Sequence, residues 1–186
     1  MTDQPPQQCV IPLHKPSRKE LTFFFLSGML VSVPMALFFS NVYPYVPVII
    51  STALFAPFIE ELAKVFPLFY RHGETERSIV SLGVLIGLGF GISEFFLYVV
   101  FLGVPTLVRV PGVIFHASST AITAYGIAKK NPWPFYLISV TLHAANNFFA
   151  LSNIGAGIFV ELLVVIVAYL LAWRFYREAS TEKIVV

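Results

Sequence analysis

A small set of ionisable and amide side chains lies inside stretches of the sequence that are otherwise almost entirely apolar. The set comprises Glu60, Glu61, Lys64, Glu94, His116, His143 and Asn147. A charge in an apolar medium is costly, about 2.5–3.5 kcal/mol even on scales of helix insertion into a bilayer, so such groups face one another or a water-filled cavity. Carboxylates can activate water, histidines can transfer protons or bind a metal, and an amide can stabilise an oxyanion. These residue types together indicate hydrolysis by an activated water.

The spacing within two of these stretches places candidate side chains on shared helix faces. Glu60 and Lys64 are four residues apart, where a carboxylate and an ammonium can form an ion pair. Glu61 points about 100° away from Glu60, so the two glutamates can serve different roles. His143 and Asn147 are also four residues apart and share a face. We therefore expect Lys64 to be structural, neutralising and orienting Glu60.

In two other apolar stretches, the candidate side chains are predicted to face neighbouring helices and not lipid. Gly83, Gly87 and Gly91 form a stripe of small residues that permits close helix approach, and Glu94 continues this stripe. The helix face of His116 also carries the hydroxyl residues Ser119, Thr120 and Thr123. A polar stripe of this kind is unsuited to lipid, so we expect Glu94 and His116 to face the interior of a bundle.

The composition determines what kind of scaffold must hold these residues. Of 186 residues, 57% are hydrophobic and only 12% are charged, whereas a typical soluble domain has about 25% charged residues. This excludes a soluble globule, and the apolar content excludes a disordered chain. The net charge of +2 and the lack of a basic patch interleaved with aromatic residues argue against nucleic-acid binding.

Six apolar stretches approach the length of about 20 residues that a spanning helix needs. They cover residues 21–40, 47–70, 79–102, 110–128, 133–151 and 155–175. The sequence therefore predicts an all-α, polytopic membrane bundle with a single domain at residues 21–175 and polar tails at 1–20 and 176–186. The first tail carries the single cysteine, Cys9, and is predicted to be an extended tail, not a cleaved signal peptide.

Lysines and arginines outside these stretches or at their ends predict the orientation. With six spans, ten of them fall on one side: Lys15, Arg18, Lys19, Arg71, Arg77, Lys129, Lys130, Arg174, Arg177 and Lys183. The opposite side receives only Arg109, and Lys64 lies inside a span. The positive-inside rule then places both termini in the cytoplasm of a multi-pass protein of the cell membrane.

Four segments that carry the candidate residues resemble the motifs of one family. Residues 60–64 (EELAK) are similar to the EExxK motif of PrsW-type intramembrane proteases, which are related to the CaaX prenyl protease and bacteriocin-immunity superfamily. Residues 90–94 (FGISE) resemble the second motif, FxxxE, where the CaaX branch has FxxxH. His116 resembles the third motif, and residues 143–147 (HAANN) resemble the fourth, HxxxN. The resemblance covers roughly residues 55–150.

The resemblance implies an endopeptidase that cuts single-span membrane proteins or peptides such as anti-sigma factors. Glu60 or Glu61 would activate water, which leaves the choice of base open, with help from Glu94 and His116. Membrane lipids and the membrane-anchored substrate would be the partners, and the oligomeric state stays open.

The resemblance also implies roles for the residues of the fourth motif and raises the question of a bound metal. His143 and Asn147 would bind the scissile carbonyl and the developing oxyanion, with Asn146 as an alternative amide. Metal dependence stays open, because Glu94, His116 and His143 could supply three ligands to a divalent ion such as zinc, yet the HExxH pattern is absent.

Two alternative functions use the same residue types. Buried glutamate, histidine and lysine side chains also build proton- or cation-coupled transporters and channels, although six spans without an internal repeat are few for a carrier. A CaaX-type prenyl-protein endopeptidase is the second alternative, and a family member that only binds a membrane partner is a third. Glu161, inside the last stretch, has no assigned role.

Overall fold

The computed structural model describes residues 13–42, 46–70, 74–151 and 157–185. Over these residues the chain is helical, with a single isolated bridge between Thr75 and Ile184. The helices are α1 (Arg18–Val42), α2 (residues 48–70), α3 (Glu76–Phe96, continued by a π-helical segment, Leu97–Phe101), α4 (Thr106–Ala128), α5 (Pro132–Leu151) and α6 (Gly157–Glu178). The predicted all-α class is confirmed. The expectations for Cys9 and most of the first tail lie outside the described residues.

Helix α2 is irregular along its length. It consists of the segments Val48–Ile50, Ser51–Phe55, Ala56–Val65 and Phe66–Tyr70, of which the second is a π-helix and the last a 3₁₀-helix. π-Helical turns are frequent at functional sites. The regular α-helical part of α2 contains the two adjacent glutamates and Lys64, and so holds these side chains in fixed positions.

Local sequence signals explain where α1 and α3 begin. The Glu20 N–H donates to Ser17 Oγ at 3.3 Å, and the Ser17 N–H donates to Glu20 Oε2 at 2.6 Å. This reciprocal pair is a capping box, which satisfies N–H groups that lack partners at the first turn. At the start of α3, Thr75 Oγ1 accepts from the Ser78 N–H at 3.2 Å.

Helix α3 lies between α1 and α4, and glycines make both approaches possible. An added Cβ at Gly83, Gly87 or Gly91 would overlap or crowd atoms of α4, and one at Gly89 would overlap the Phe25 carbonyl of α1. Gly28 of α1 faces the backbone of α3 in the same way. The predicted role of the glycine stripe in helix packing is confirmed. The close approach brings the polar face of α4 against α2 and α3.

The chain beyond α6 folds back onto the start of α3 and the end of α4. The buried carboxylate of Glu76 accepts hydrogen bonds from Lys129 Nζ at 2.5 Å and from the Ser180 N–H at 3.0 Å, and Lys183 Nζ lies 3.1 Å away. The start of α3, the end of α4 and the chain after α6 therefore meet at one end of the bundle. The distribution of lysines and arginines predicts that all three lie on the same side of the membrane. Which side of the membrane this end faces stays a prediction.

The outer surface of the bundle is strongly apolar. Large side chains such as Leu107, Phe101 and Leu30 are 85%, 77% and 73% exposed, and extended apolar surface of this kind is typical of contact with lipid. Within the described residues, Glu76–Phe101 and Gly157–Glu178 are long and apolar enough to cross a membrane, with mean hydropathies of 2.1 and 2.2. The six-span count and the cytoplasmic termini stay predictions.

A larger side chain at Gly87 tests the packing of α3 against α4. We expect Gly87→Val to lower stability by about 1–3 kcal/mol, because the added atoms overlap the His116 carbonyl and force the helices apart. Thermal unfolding in detergent measures the change. Gly112→Ala is the matched control, since its added Cβ would meet its nearest neighbour, Arg109 Nη2, at 3.8 Å. Equal melting temperatures for the two variants would contradict the packing assignment.

Candidate active site

The carboxylate of Glu61 lies at the centre of a buried polar network. Its side chain is 0% exposed, and its Oε1 accepts from Lys64 Nζ at 2.5 Å, His143 Nδ1 at 2.8 Å and Ser119 Oγ at 3.1 Å. These donors come from α2, α5 and α4. Charge-assisted hydrogen bonds of this kind are roughly twice as strong as neutral ones, so one oxygen atom connects three helices.

The ion pair of Lys64 differs from the predicted one. The prediction that Lys64 forms an ion pair with Glu60 is wrong. In the structure its ammonium pairs with the Glu61 carboxylate. Residues three apart are also neighbours on a helix, and the ammonium of Lys64 bonds His116 Nδ1 on α4 at 3.2 Å. It also lies 4.8 Å from the centre of the Phe90 ring. Lys64 therefore points to the α4 side of α2, where Glu61 also lies.

His116 connects Lys64 to a second carboxylate. An ammonium can only donate, so His116 Nδ1 accepts from Lys64 and the Nε2–H donates to Glu94 Oε2 at 2.5 Å. Arg109 Nη2 lies 3.2 Å from the same oxygen, and its guanidinium is centred 3.9 Å from the Tyr98 ring. Glu94 thus orients the His116 ring and is itself held by Arg109.

Arg109 is the site residue that the sequence reasoning missed. The available signal was its position as the single basic residue that the charge sorting left on the opposite side of the membrane. Its Nε is buried and has no hydrogen-bond partner within the described residues. Glu161 of α6, for which no role was expected, is also buried.

Glu60 is the less constrained of the two adjacent glutamates. Its side chain is 12% exposed, and its Oε2 lies 3.7 Å from His143 Nε2. Within the described residues this oxygen accepts no hydrogen bond. His143 therefore lies between the two glutamates, with Nδ1 donating to Glu61 and Nε2 facing Glu60. As expected from the sequence, the two carboxylates have different surroundings.

The structure brings together a different metal-ligand set from the predicted one. In the described part of the chain, the potential ligand atoms of Glu61, His116 and His143 all lie within 4.8 Å of one another, and the three residues are buried. Two histidines and a glutamate are a known ligand set of catalytic zinc, so the donor chemistry fits a divalent metal. Glu94, the carboxylate of the predicted set, instead bonds to the outer nitrogen of His116, as partners of metal-bound histidines commonly do.

The two adjacent asparagines of α5 have different surroundings. Asn147 Nδ2 donates to the Thr52 carbonyl oxygen at 2.9 Å, in the π-helical segment of α2. Asn146 is 7% exposed, and its Oδ1 accepts no hydrogen bond from the described residues. The predicted candidate Asn147 is thus engaged by the backbone of α2, whereas Asn146 is buried with an unbonded carbonyl oxygen.

The chain was compared with models of protein families, with curated proteins and with solved structures. The sequence model described as PrsW family intramembrane metalloprotease matches residues 16–173. The matched region includes the four helices, α2 to α5, that supply the polar network. No curated protein and no solved structure matches the chain.

Removing one partner of the central ion pair tests the buried network. We predict that Glu61→Leu lowers stability by about 3–5 kcal/mol, since it leaves the Lys64 ammonium buried without its carboxylate. The double variant Glu61→Leu/Lys64→Met should regain most of this loss, because it buries no unpaired charge. Unfolding in detergent measures both. Glu60→Gln is the control and should change stability little. A double variant whose stability loss equals the sum of the losses of the two single variants would contradict the network.

Proposed function

Because the chain belongs to the PrsW family of intramembrane metalloproteases, we propose that it hydrolyses peptide bonds of membrane-anchored protein substrates. The observation that carries this proposal is the convergence of two histidines and two carboxylates in one buried network drawn from four helices: Glu61, Glu94, His116 and His143. The substrate class, single-span proteins such as anti-sigma factors, follows from the family resemblance alone. The family match favours a peptidase over a transporter or channel.

Glu60 is the residue best suited to activate water. Glu61 Oε1 already accepts three hydrogen bonds, whereas Glu60 Oε2 has no hydrogen bond within the described residues and lies beside His143 Nε2. In the proposed reaction Glu60 removes a proton from water as the water oxygen bonds to the scissile carbonyl carbon. The C–N bond then breaks, and the proton passes to the leaving amine nitrogen.

The metal in the family description has a fitting set of ligands in this chain. Glu61, His116 and His143 would hold it, and a bound divalent ion supplies a Lewis acid that polarises the carbonyl and makes water more acidic. Glu94, held by Arg109 at 3.2 Å, would keep the His116 ring in a fixed orientation.

The oxyanion that forms during the reaction needs a free hydrogen-bond donor. Asn147 gives one of its two amide N–H groups to the Thr52 carbonyl, which holds its side chain against α2. We assign the oxyanion role to Asn146, which the sequence left as the alternative, because its carbonyl oxygen accepts no bond from the described residues that would hold the amide in another orientation. Asn146 lies three residues from His143, on a neighbouring face of the same helix. Asn147 would then hold the π-helical segment of α2 in place.

Loss of the proposed base and its histidine tests the assigned reaction. We expect Glu60→Gln and His143→Ala to lower cleavage of a co-expressed single-span substrate by about 10²–10⁴-fold, because the first removes the proton acceptor for water and the second removes a proposed metal ligand. Immunoblots of substrate and product measure cleavage. Glu178→Gln, which removes a carboxylate that is 42% exposed, is the control and should cleave normally. Cleavage at control levels by folded Glu60→Gln and His143→Ala proteins would overturn the proposal.

The two asparagines make a separate test of the oxyanion donor. Asn146→Ala should lower kcat by about 10²–10³-fold with little change in KM, as expected for a contact made only in the transition state. Asn147→Ala should instead cost about 1 kcal/mol of stability through the lost bond to Thr52. Kinetics with purified protein and a transmembrane peptide measure kcat and KM for both variants, and unfolding in detergent measures their stability. The reverse order of the two kcat effects would return the role to Asn147.

A further inference from the structure

Lys64 donates hydrogen bonds to atoms that would bind a metal ion. Its ammonium contacts two of the three potential ligands, at 2.5 Å from Glu61 Oε1 and 3.2 Å from His116 Nδ1. The side chain is 0% exposed, so water does not replace these bonds. A metal ion is held by lone pairs on carboxylate oxygens and unprotonated ring nitrogens, and these are the groups to which Lys64 donates. The ammonium and a metal ion therefore compete for the same atoms.

A second position for the ammonium lies within reach. Glu60 Oε2 and Glu61 Oε2 are buried and accept no hydrogen bond from the described residues. Glu60 is four residues from Lys64, a spacing at which a glutamate and a lysine on one helix can pair. At this spacing the Glu60 carboxylate would compensate the ammonium if it left Glu61 Oε1 and His116.

We propose that Lys64 is a tethered cation that regulates metal binding at the proposed site. Without metal, the ammonium neutralises Glu61 and holds His116 in place. When a metal binds, it displaces the ammonium, which moves to one oxygen of Glu60 and leaves the other oxygen for the reacting water. Lys64 thus lowers the affinity for metal while preserving the shape of the site. This inference rests on the metal-binding residues of the proposed function, but it concerns binding and not peptide hydrolysis.

Zinc affinity of the purified full chain tests this competition. Metal-free protein in detergent is titrated with Zn²⁺ against a chromogenic chelator, so that no peptidase activity is needed. We expect Lys64→Met and Lys64→Gln to bind Zn²⁺ about 10- to 100-fold more tightly than wild type, within the range seen when groups around a metal site are changed. Lys129→Met is the matched control, because it removes an equal charge from another lysine–glutamate pair.

Glu60 supplies the second arm of the experiment. Glu60→Gln should weaken Zn²⁺ binding in the wild-type background, since the displaced ammonium loses its alternative partner. The loss of Zn²⁺ affinity that Glu60→Gln causes should be clearly smaller in the Lys64→Met background. Lys64→Gln keeps an N–H donor for the buried Glu61 carboxylate, so it guards against a folding defect that Lys64→Met alone could cause. Unchanged or weaker binding by both, or equal effects of Glu60→Gln in the two backgrounds, would overturn the proposal.

If both neutral variants bind Zn²⁺ more tightly while no substrate is cut by any form, the competition stands and the proposed peptidase function fails. If cleavage occurs but neither neutral variant shows saturable Zn²⁺ binding, the competition fails and the peptidase function stands. The two results are therefore distinguishable.

Discussion

The structure depends on placing an ionised carboxylate, Glu61, where it has no contact with solvent. A buried charge is tolerated only when it is paired and hydrogen-bonded. Glu61 meets this requirement through Lys64 on its own helix, Ser119 on α4 and His143 on α5. Each of these donors must come close to one oxygen, so the need to compensate one charge fixes the mutual positions of three helices.

The apolar part of the fold makes that arrangement possible. Helix α3 packs against α4 through Gly83, Gly87 and Gly91, where a single added carbon would meet atoms of the neighbouring helix. This contact brings Glu94 and His116 within 2.5 Å of each other. The small residues and the ionisable ones therefore act together, since the first set determines how closely the second can approach.

The sequence predicted the helix class and most members of the buried polar network for one physical reason. Charges are rare in this chain, so any glutamate or histidine inside an apolar stretch had to face the interior, and the spacing of Gly91 and Glu94 indicated which face. It could not predict the partner of Lys64, because separations of three and four residues are both compatible with an ion pair. The contact of Asn147 with Thr52 and that of Arg109 with Glu94 depend on tertiary packing between different helices.

The protonation of the two site histidines tests the buried network most directly. Lys64 can only donate to His116 and the Glu61 carboxylate can only accept from His143, so the metal-free network requires a bare Nδ1 on His116 and a proton on Nδ1 of His143. Nitrogen-15 NMR of histidine-labelled, chelator-treated protein should show His116 protonated at Nε2 and His143 protonated at Nδ1. The Glu61→Leu variant should lose the second assignment, because leucine offers no acceptor to Nδ1–H. The same tautomer for both rings, unaffected by that substitution, would contradict the account.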